Sequence, residues 1–306
     1  LNDEEPRELP FVSIVIPVFN DADGLKLSLN SLLNQTYPNE NYEIIVVDNG
    51  SNDDTLSVIE RYSSKYETMV IFESENSEQS SYAARNKGIM AAKGSIICFV
   101  DADVTMDEDW LEKTVTSFIK NDSKCLTCKV DLSQTDEKGI WADFNRLTGF
   151  PMERYINRDH FAPTCCLLVR RWLLERLGAF DSRLVSGGDL EFGNRVYRSG
   201  FKIDYDPNIV VYHPVRSSIG SLVFKSIRIG IGMAQLRKYF PERYTFNPYS
   251  IKDFLPSDPL IFKEDLGEDI VSVPRVIVLY MISYVCKLAR KVGMIYGVKQ
   301  LNQAKM

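Results

Sequence analysis

The stretch Ser95-Ile-Ile-Cys-Phe-Val-Asp-Ala-Asp-Val104 decides the fold class: a wholly apolar run delivers two carboxylates, one residue apart, at its end. An apolar run with no polar alternation is expected of a strand covered on both faces, as in a parallel sheet. The C-terminal edge of such a sheet is where open α/β folds bind ligands. Asp101 and Asp103 point the same way if the strand continues through them. Paired carboxylates are hard-oxygen ligands that suit Mn2+ or Mg2+, and such a cation also holds a diphosphate. Asp-x-Asp also spells an ordinary solvated turn, and it is the preceding strand that favours a metal.

Working outward, the first half alternates short apolar runs with amphipathic stretches, the βαβ pattern. Strands are expected at 11–16, 43–47, 69–72 and 95–100. Between them, Leu25, Leu29, Leu32 and Leu33 recur at helical spacing before Pro38. Residues 51–54 offer caps to a helix in which Leu56, Ile59 and Tyr62 share a face, and a further helix is expected over 82–92, ended by Gly94. Beyond Asp103 the pattern predicts a helix at 110–119, a strand at 125–132, and an irregular stretch over 133–163. A helix at 171–177, a Gly187-Gly188 turn, a helix ending at Gly200 and strands at 202–205 and 209–212 follow. Two basic, apolar-rich helical stretches, 217–240 and 273–298, are joined by a Pro-rich linker.

The chain has 306 residues and a formal net charge of −6, unevenly spread. Residues 216–306 hold 14 Lys+Arg against 7 Asp+Glu, a net +7, which leaves 22 against 35, or −13, for the first 215. The tail therefore suits an anionic surface while the body keeps the chain soluble. The six cysteines lie in apolar segments, unlike a secreted disulfide framework, and are expected to be reduced. The one CxxC, Cys125 and Cys128, lacks a downstream partner pair and reads as buried thiols before zinc. No signal peptide is expected at Leu1-Asn-Asp-Glu-Glu-Pro6. The longest uncharged apolar run near the end, 276–286, is 11 residues. That falls short of the roughly 20 a spanning helix needs, so the chain is expected not to cross a bilayer.

Four runs taken together, Val15-Ile-Pro-Val-Phe-Asn20, Ile45-Val-Val-Asp-Asn-Gly-Ser-Asn-Asp-Asp-Thr55, Ala84-Arg-Asn-Lys-Gly88 and Phe99-Val-Asp-Ala-Asp103, resemble in order and spacing the successive motifs of family 2 glycosyltransferases. The resemblance covers about residues 10–215. It implies a GT-A-like, Rossmann-type α/β fold with a mostly parallel sheet flanked by helices, here followed by a helical extension over 216–306. Within a catalytic domain at 1–215, about 10–103 would be the nucleotide-sugar half and 104–215 the acceptor half.

By the same resemblance Pro17, Phe19 and Asn20 would lie beside the nucleobase and ribose, and Asp48 would hydrogen-bond the base. The alternative for Asp48 is a turn carboxylate before Asn49-Gly50 or a helix cap. Arg85 would approach the diphosphate or position Asp101, with Asn86 in support, because a guanidinium fork fits phosphate and carboxylate alike; a surface charge is the plain alternative. Ala102, between the two aspartates, would border the sugar nucleotide.

A second constellation, Ser186-Gly-Gly-Asp-Leu-Glu-Phe-Gly-Asn-Arg195 after Gly178-Ala-Phe-Asp181, resembles the family's segment bearing the catalytic base. Asp189 matches that base, although Gly188 stands where many members have Glu. An acceptor hydroxyl must lose a proton as it attacks the anomeric carbon, and a carboxylate within reach can take it. A helix start favours its ionised form; capping that helix is its alternative role. Gly188, Glu191 and Arg195 would border the acceptor side: Glu191 would assist the base or bind the acceptor, and Arg195 would clamp the loop or a phosphate in preference to contacting the acceptor. His213, next to Pro214, matches a position that in some members ligates the metal, and reads otherwise as a structural histidine. His160 is given no role.

These readings converge on an inverting enzyme that transfers a sugar from a nucleoside diphosphate donor, by default a UDP-sugar, to the hydroxyl of a polysaccharide or lipid-linked glycan. The basic tail places it in the cytoplasm, peripheral at the inner face of a membrane, or packs on the catalytic domain or on a second copy in a homo-oligomer. Nucleic acid is not expected as a partner. A sugar nucleotidyltransferase and a non-catalytic nucleotide-binding scaffold are the alternatives; the first is disfavoured because no Gly-rich, Lys/Arg-bearing loop follows the first strand.

Overall fold

The computed structural model describes residues 9–134, 136–259, 262 and 272–303. The opening Leu1-Asn-Asp-Glu-Glu-Pro6, on which the signal-peptide expectation rests, lies outside the described residues. The chain divides into two compact units that interleave along the sequence. The first is Leu1–Val130, Met152–Ser182 and Phe192–His213; the second is Asp131–Pro151, Arg183–Glu191 and Pro214–Met306. The last of these breaks falls close to the 215/216 boundary expected from the sequence, but 131–151 and 183–191 join the tail.

The first unit is built on an eight-stranded sheet in the order β3-β2-β1-β4-β7-β6-β8-β5. Strands β1 (Val12–Val18), β2 (Tyr42–Asp48), β3 (Val70–Ser74) and β4 (Ile96–Val100) form its parallel half. Every residue of β1, β2 and β4 is buried, as their β-branched, non-alternating runs require. Burying each such Val or Ile contributes about 1.5–3 kcal/mol. Helices α1 (Ala22–Leu33), α2 (Thr55–Lys65) and α3 (Ser81–Ala91) are the crossovers. Helix α3 lies so close on β1 that a Cβ at Gly88 would stand 2.4 Å from Val15 Cγ1, which accounts for the glycine closing the Ala84–Gly88 motif.

Beyond β4 the short β5 (Thr105–Met106), α4 (Trp110–Lys120) and β6 (Cys125–Asp131) follow. The supposedly irregular 133–163 contains two helices, α5 (Ile140–Thr148) and α6 (Met152–Asn157). Strand β7 (Cys166–Arg170), not expected from the sequence, inserts antiparallel between β4 and β6. Helices α7 (Arg171–Leu177) and α8 (Gly188–Arg198) precede β8 (Ile203–Tyr212), one strand where two short ones were expected.

The second unit is dominated by α9 (Ile219–Tyr239) and α10 (Val273–Gln303). The two cross backbone to backbone: a Cβ on Gly230 would meet Arg290 O at 1.9 Å, and one on Gly293 would meet Ile227 O at 2.1 Å. Phe144, Leu222, Leu279, Ile282 and Cys286 form an apolar cluster there. The expectation of no bilayer-crossing segment, drawn from 276–286, missed α9. Its 21 residues are long and apolar enough to cross by length and composition, and 39% of its most apolar window is buried in the protein.

Candidate active site

Pro17 sits in β1, and Phe19 and Asn20 follow it at the sheet's C-terminal edge. Phe19 is 49% exposed. Asn20 has φ 51°, a left-handed conformation that Asn tolerates better than most residues. Its N–H donates to Ser51 Oγ at 2.9 Å and its Oδ1 accepts from Asn52 N–H at 2.8 Å, tying the end of β1 to the turn after β2. Asp48 organises that turn. Its carboxylate is buried and accepts from Gly50 N–H at 3.1 Å and Ser51 N–H at 3.2 Å, as a turn carboxylate does.

Arg85, on α3, is 4% exposed and is no surface charge. Its Nη2 meets Asp101 Oδ1 at 2.5 Å while Nη1 donates to Ser81 O at 3.2 Å. Its Nε is buried without an acceptor among the described residues. Asn86 does not support Arg85. Its Nδ2 donates to Phe180 O at 2.8 Å and its Oδ1 accepts from Phe180 N–H at 3.0 Å, fastening the 178–181 segment to α3.

Strand β4 ends at Val100, so Asp101 and Asp103 are brought together by a turn and not by strand alternation. The turn is closed by Val104 N–H on Asp101 O at 3.2 Å, with Ala102 buried between the two carboxylates. Immediately after it, β5 pairs with β8, Thr105 opposite Tyr212. That register carries His213 to Asp103, Nε2 to Oδ1 at 3.8 Å. One ligand atom each from Asp101, Asp103 and His213 lie within 4.8 Å of one another, the one such metal-capable group among the described residues. Two hard carboxylates and an imidazole fit Mn2+ or Mg2+. The CxxC does not enter any such group. All six thiols are buried, and burial pushes the CxxC thiols Cys125 and Cys128 up.

Asp189 is the second residue of α8, following Gly187 at φ 83°, and its Oδ1 accepts from Leu190 N–H at 2.9 Å. It lies inside the first turn, with Gly188 ahead of it as the helix's first residue. Glu191 is withdrawn from the acceptor role expected of it: it is 2% exposed, and its Oε1 pairs with Arg243 Nη1 at 3.0 Å. Arg195 takes the clamping role. Its guanidinium donates to Leu177 O, to Gly178 O at 2.6 Å and to Ala179 O at 2.7 Å. His160 stacks on Tyr197, ring centroids 3.6 Å apart.

The Glycosyl transferase family 2 profile matches residues 13–178. Glycosyltransferase AglE of Haloferax volcanii is 31% identical over 292 residues, 93% of this chain and 95% of that protein. The chain belongs to glycosyl transferase family 2. A second family relative, the Methanococcus voltae dolichyl N-acetyl-alpha-D-glucosaminyl phosphate 3-beta-D-2,3-diacetamido-2,3-dideoxy-beta-D-glucuronosyltransferase, is 28% identical over 75% of each chain. Among solved structures, the Pyrobaculum calidifontis mannosyltransferase PcManGT, in complex with GDP-Man and Mn2+, covers 96% of this chain and 88% of its own at TM-score 0.66 and 18% identity. S. aureus TarS 1-349 with UDP-GlcNAc covers 96% and 92% at TM-score 0.57 and 17% identity. These two likenesses establish the GT-A fold. Membership in this family makes the chain a glycosyltransferase and leaves the nucleotidyltransferase and scaffold alternatives without ground.

Family motifs pointed to Arg85, Asp101, Asp103 and His213, which the first unit gathers. They did not point to Arg243. A single arginine beyond the matched region carries no sequence signal for its buried partner.

Proposed function

We propose that this family 2 enzyme transfers a glycosyl unit from a nucleoside diphosphate sugar, UDP-linked by default, to the hydroxyl of a glycan or lipid-linked glycan, with inversion. The observation that carries the reading is the convergence of Asp101, Asp103 and His213 at the edge of the parallel half-sheet. Asp101, Asp103 and His213 would hold Mn2+ or Mg2+. Bound there, the cation supplies Lewis acidity that offsets charge developing on the departing diphosphate. Arg85 orients the Asp101 carboxylate through its short bond, its guanidinium fork facing the diphosphate side. Phe19 offers an exposed aromatic face to the nucleobase, on an edge that Pro17, Asn20 and the Asp48 turn make rigid. Asp189 takes the acceptor's proton, its ionised form favoured by the first turn of α8, with Gly188 leaving room for the acceptor. In sequence terms, residues 10–103 serve the donor and 104–215 the acceptor.

Charge and exposure in the second unit support a peripheral site of action at the cytoplasmic, inner face of a membrane. Helices α9 and α10 carry nine Lys and Arg and no Asp or Glu. On α10, Val273, Ile277, Met281 and Val285 are exposed at four-residue spacing, one apolar face. Basic residues beside such a face suit anionic lipid. The same lack of acids disfavours a homo-oligomer through this face, since two copies would oppose like charges.

The test incubates the protein with a panel of UDP-, GDP- and dTDP-sugars, Mn2+ and a lipid-linked glycan extract, and follows sugar transfer and the phosphate product. Transfer with release of nucleoside diphosphate is expected, lost about a hundredfold or more in Asp189→Asn. Release of pyrophosphate, or undiminished transfer by Asp189→Asn, would sink the reading.

A further inference from the structure

We propose that the second half of α9, together with Arg243, is the platform that positions Asp189; this rests on the reading of Asp189 as the base. Residues 183–191 belong to the compact unit of the tail helices. Gln235 holds that segment's backbone from both sides: its Oε1 accepts from Val185 N–H at 2.9 Å, and its Nε2 donates to Arg183 O at 2.9 Å. A carboxamide carries donor and acceptor side by side, so one side chain closes both bonds as a neighbouring strand would. Gln235 is 9% exposed, which shields them from competing water.

The same face of α9 continues the contact. A Cβ on Gly232 would stand 2.3 Å from Ser186 O, so only glycine allows the helix that close. Gly187, at φ 83°, rests against Leu236, where an added Cβ would come within 2.9 Å of Cδ1. The Arg183 guanidinium lies 4.2 Å from the Tyr239 ring centroid. Residues 232, 235, 236 and 239 follow the i, i+3, i+4, i+7 spacing of one helix face. On the other side of Asp189, Arg243 grips Glu191 at 3.0 Å. A buried ion pair adds little to stability over an apolar contact of the same size; what it fixes here is geometry. Asp189 is thus bracketed, by α9 before it and by Arg243 after it. Such bracketing matters for a base, because a misplacement of roughly 1 Å costs about a hundredfold in rate.

Gln235→Leu removes both backbone bonds and Gln235→Glu keeps only the acceptor. With the sugar nucleotide turned over in the panel above, Gln235→Leu should lower kcat about ten- to a hundredfold with donor KM and Mn2+-dependent UDP binding unchanged, and Gln235→Glu should fall between it and the parent. In an Asp189→Asn background Gln235→Leu should cost nothing further, because its effect runs through the base. Amide hydrogen exchange over 183–191 should quicken in both single variants whatever the donor, and Gln235→Glu keeps the test alive if Gln235→Leu does not fold. Undiminished kcat, a further loss of equal size in the Asp189→Asn background, or unchanged exchange would overturn the platform. Undiminished transfer by Asp189→Asn itself would instead overturn the reading of the base.

Discussion

Arg85 reaches Asp101 across 16 residues, from a helix to the turn that ends the next strand, while Gln235 reaches Val185 across 50 and Arg183 across 52. The first span lies within one βαβ repeat, whose crossover geometry is nearly obligatory. The second has no repeating unit beneath it and depends on how α9 happens to pack within its own unit. Functional geometry in the first unit therefore follows from local motif order, whereas in the second it follows from tertiary contacts that no motif records. His213 marks the limit of that contrast, since it joins Asp103 only through the two-residue β5.

The contrast is broken most severely by Asp103→Ala. Removing one of two carboxylates should abolish Mn2+-dependent binding of nucleoside diphosphate and lower transfer about a hundred- to a thousandfold. Titration calorimetry with UDP and GDP, with and without Mn2+, reads the first effect, and near-parent binding would remove the metal from the acidic pair. Arg85→Lys is a smaller test of the same unit. Lysine keeps the charge but loses the fork that meets both Asp101 and Ser81, so the Mn2+ concentration for half-maximal activity should rise about tenfold. Unchanged metal dependence would show that Asp101 needs no support from α3. Smallest is Ile277→Asp in the second unit. Placing a carboxylate in the exposed face of α10 should weaken sedimentation with anionic lipid vesicles roughly fivefold and leave Mn2+-dependent UDP binding untouched. Equal sedimentation with neutral and anionic vesicles would separate the basic helices from lipid charge.

Much of the first unit was legible because a parallel strand buried on both faces writes itself as a mostly apolar run without polar alternation. Strands β1, β2 and β4 are such runs, and their ends named Pro17, Asp48 and Asp101. Strand β7 escaped notice because Cys166-Leu-Leu-Val-Arg170 is only five residues long and directly abuts helix α7. Helix α5 escaped because its amphipathic face, Ile140, Trp141 and Phe144, packs on a cluster supplied largely by the tail. At the site, chemistry was easier to read than partnership. The Asp48 hydrogen bonds close its own turn; Asn86 and Arg195 fasten the backbone of 177–180, and Glu191 meets a half-buried arginine. Residue type reveals that a group can bond, and only packing reveals to what.

By itself the sequence determined the βαβ order, the carboxylates at the end of β4, the Asp189 segment at the start of α8 and the absence of acid from both tail helices. These are properties of nearest neighbours along the chain: side-chain branching, apolar period and charge. Tertiary structure alone decided that His213 meets Asp103, that Glu191 is spent on Arg243 and that Gln235 holds the loop before Asp189. Each of those joins residues tens of positions apart, where closing the chain costs nearly the same entropy for many pairings and only the packed whole selects one.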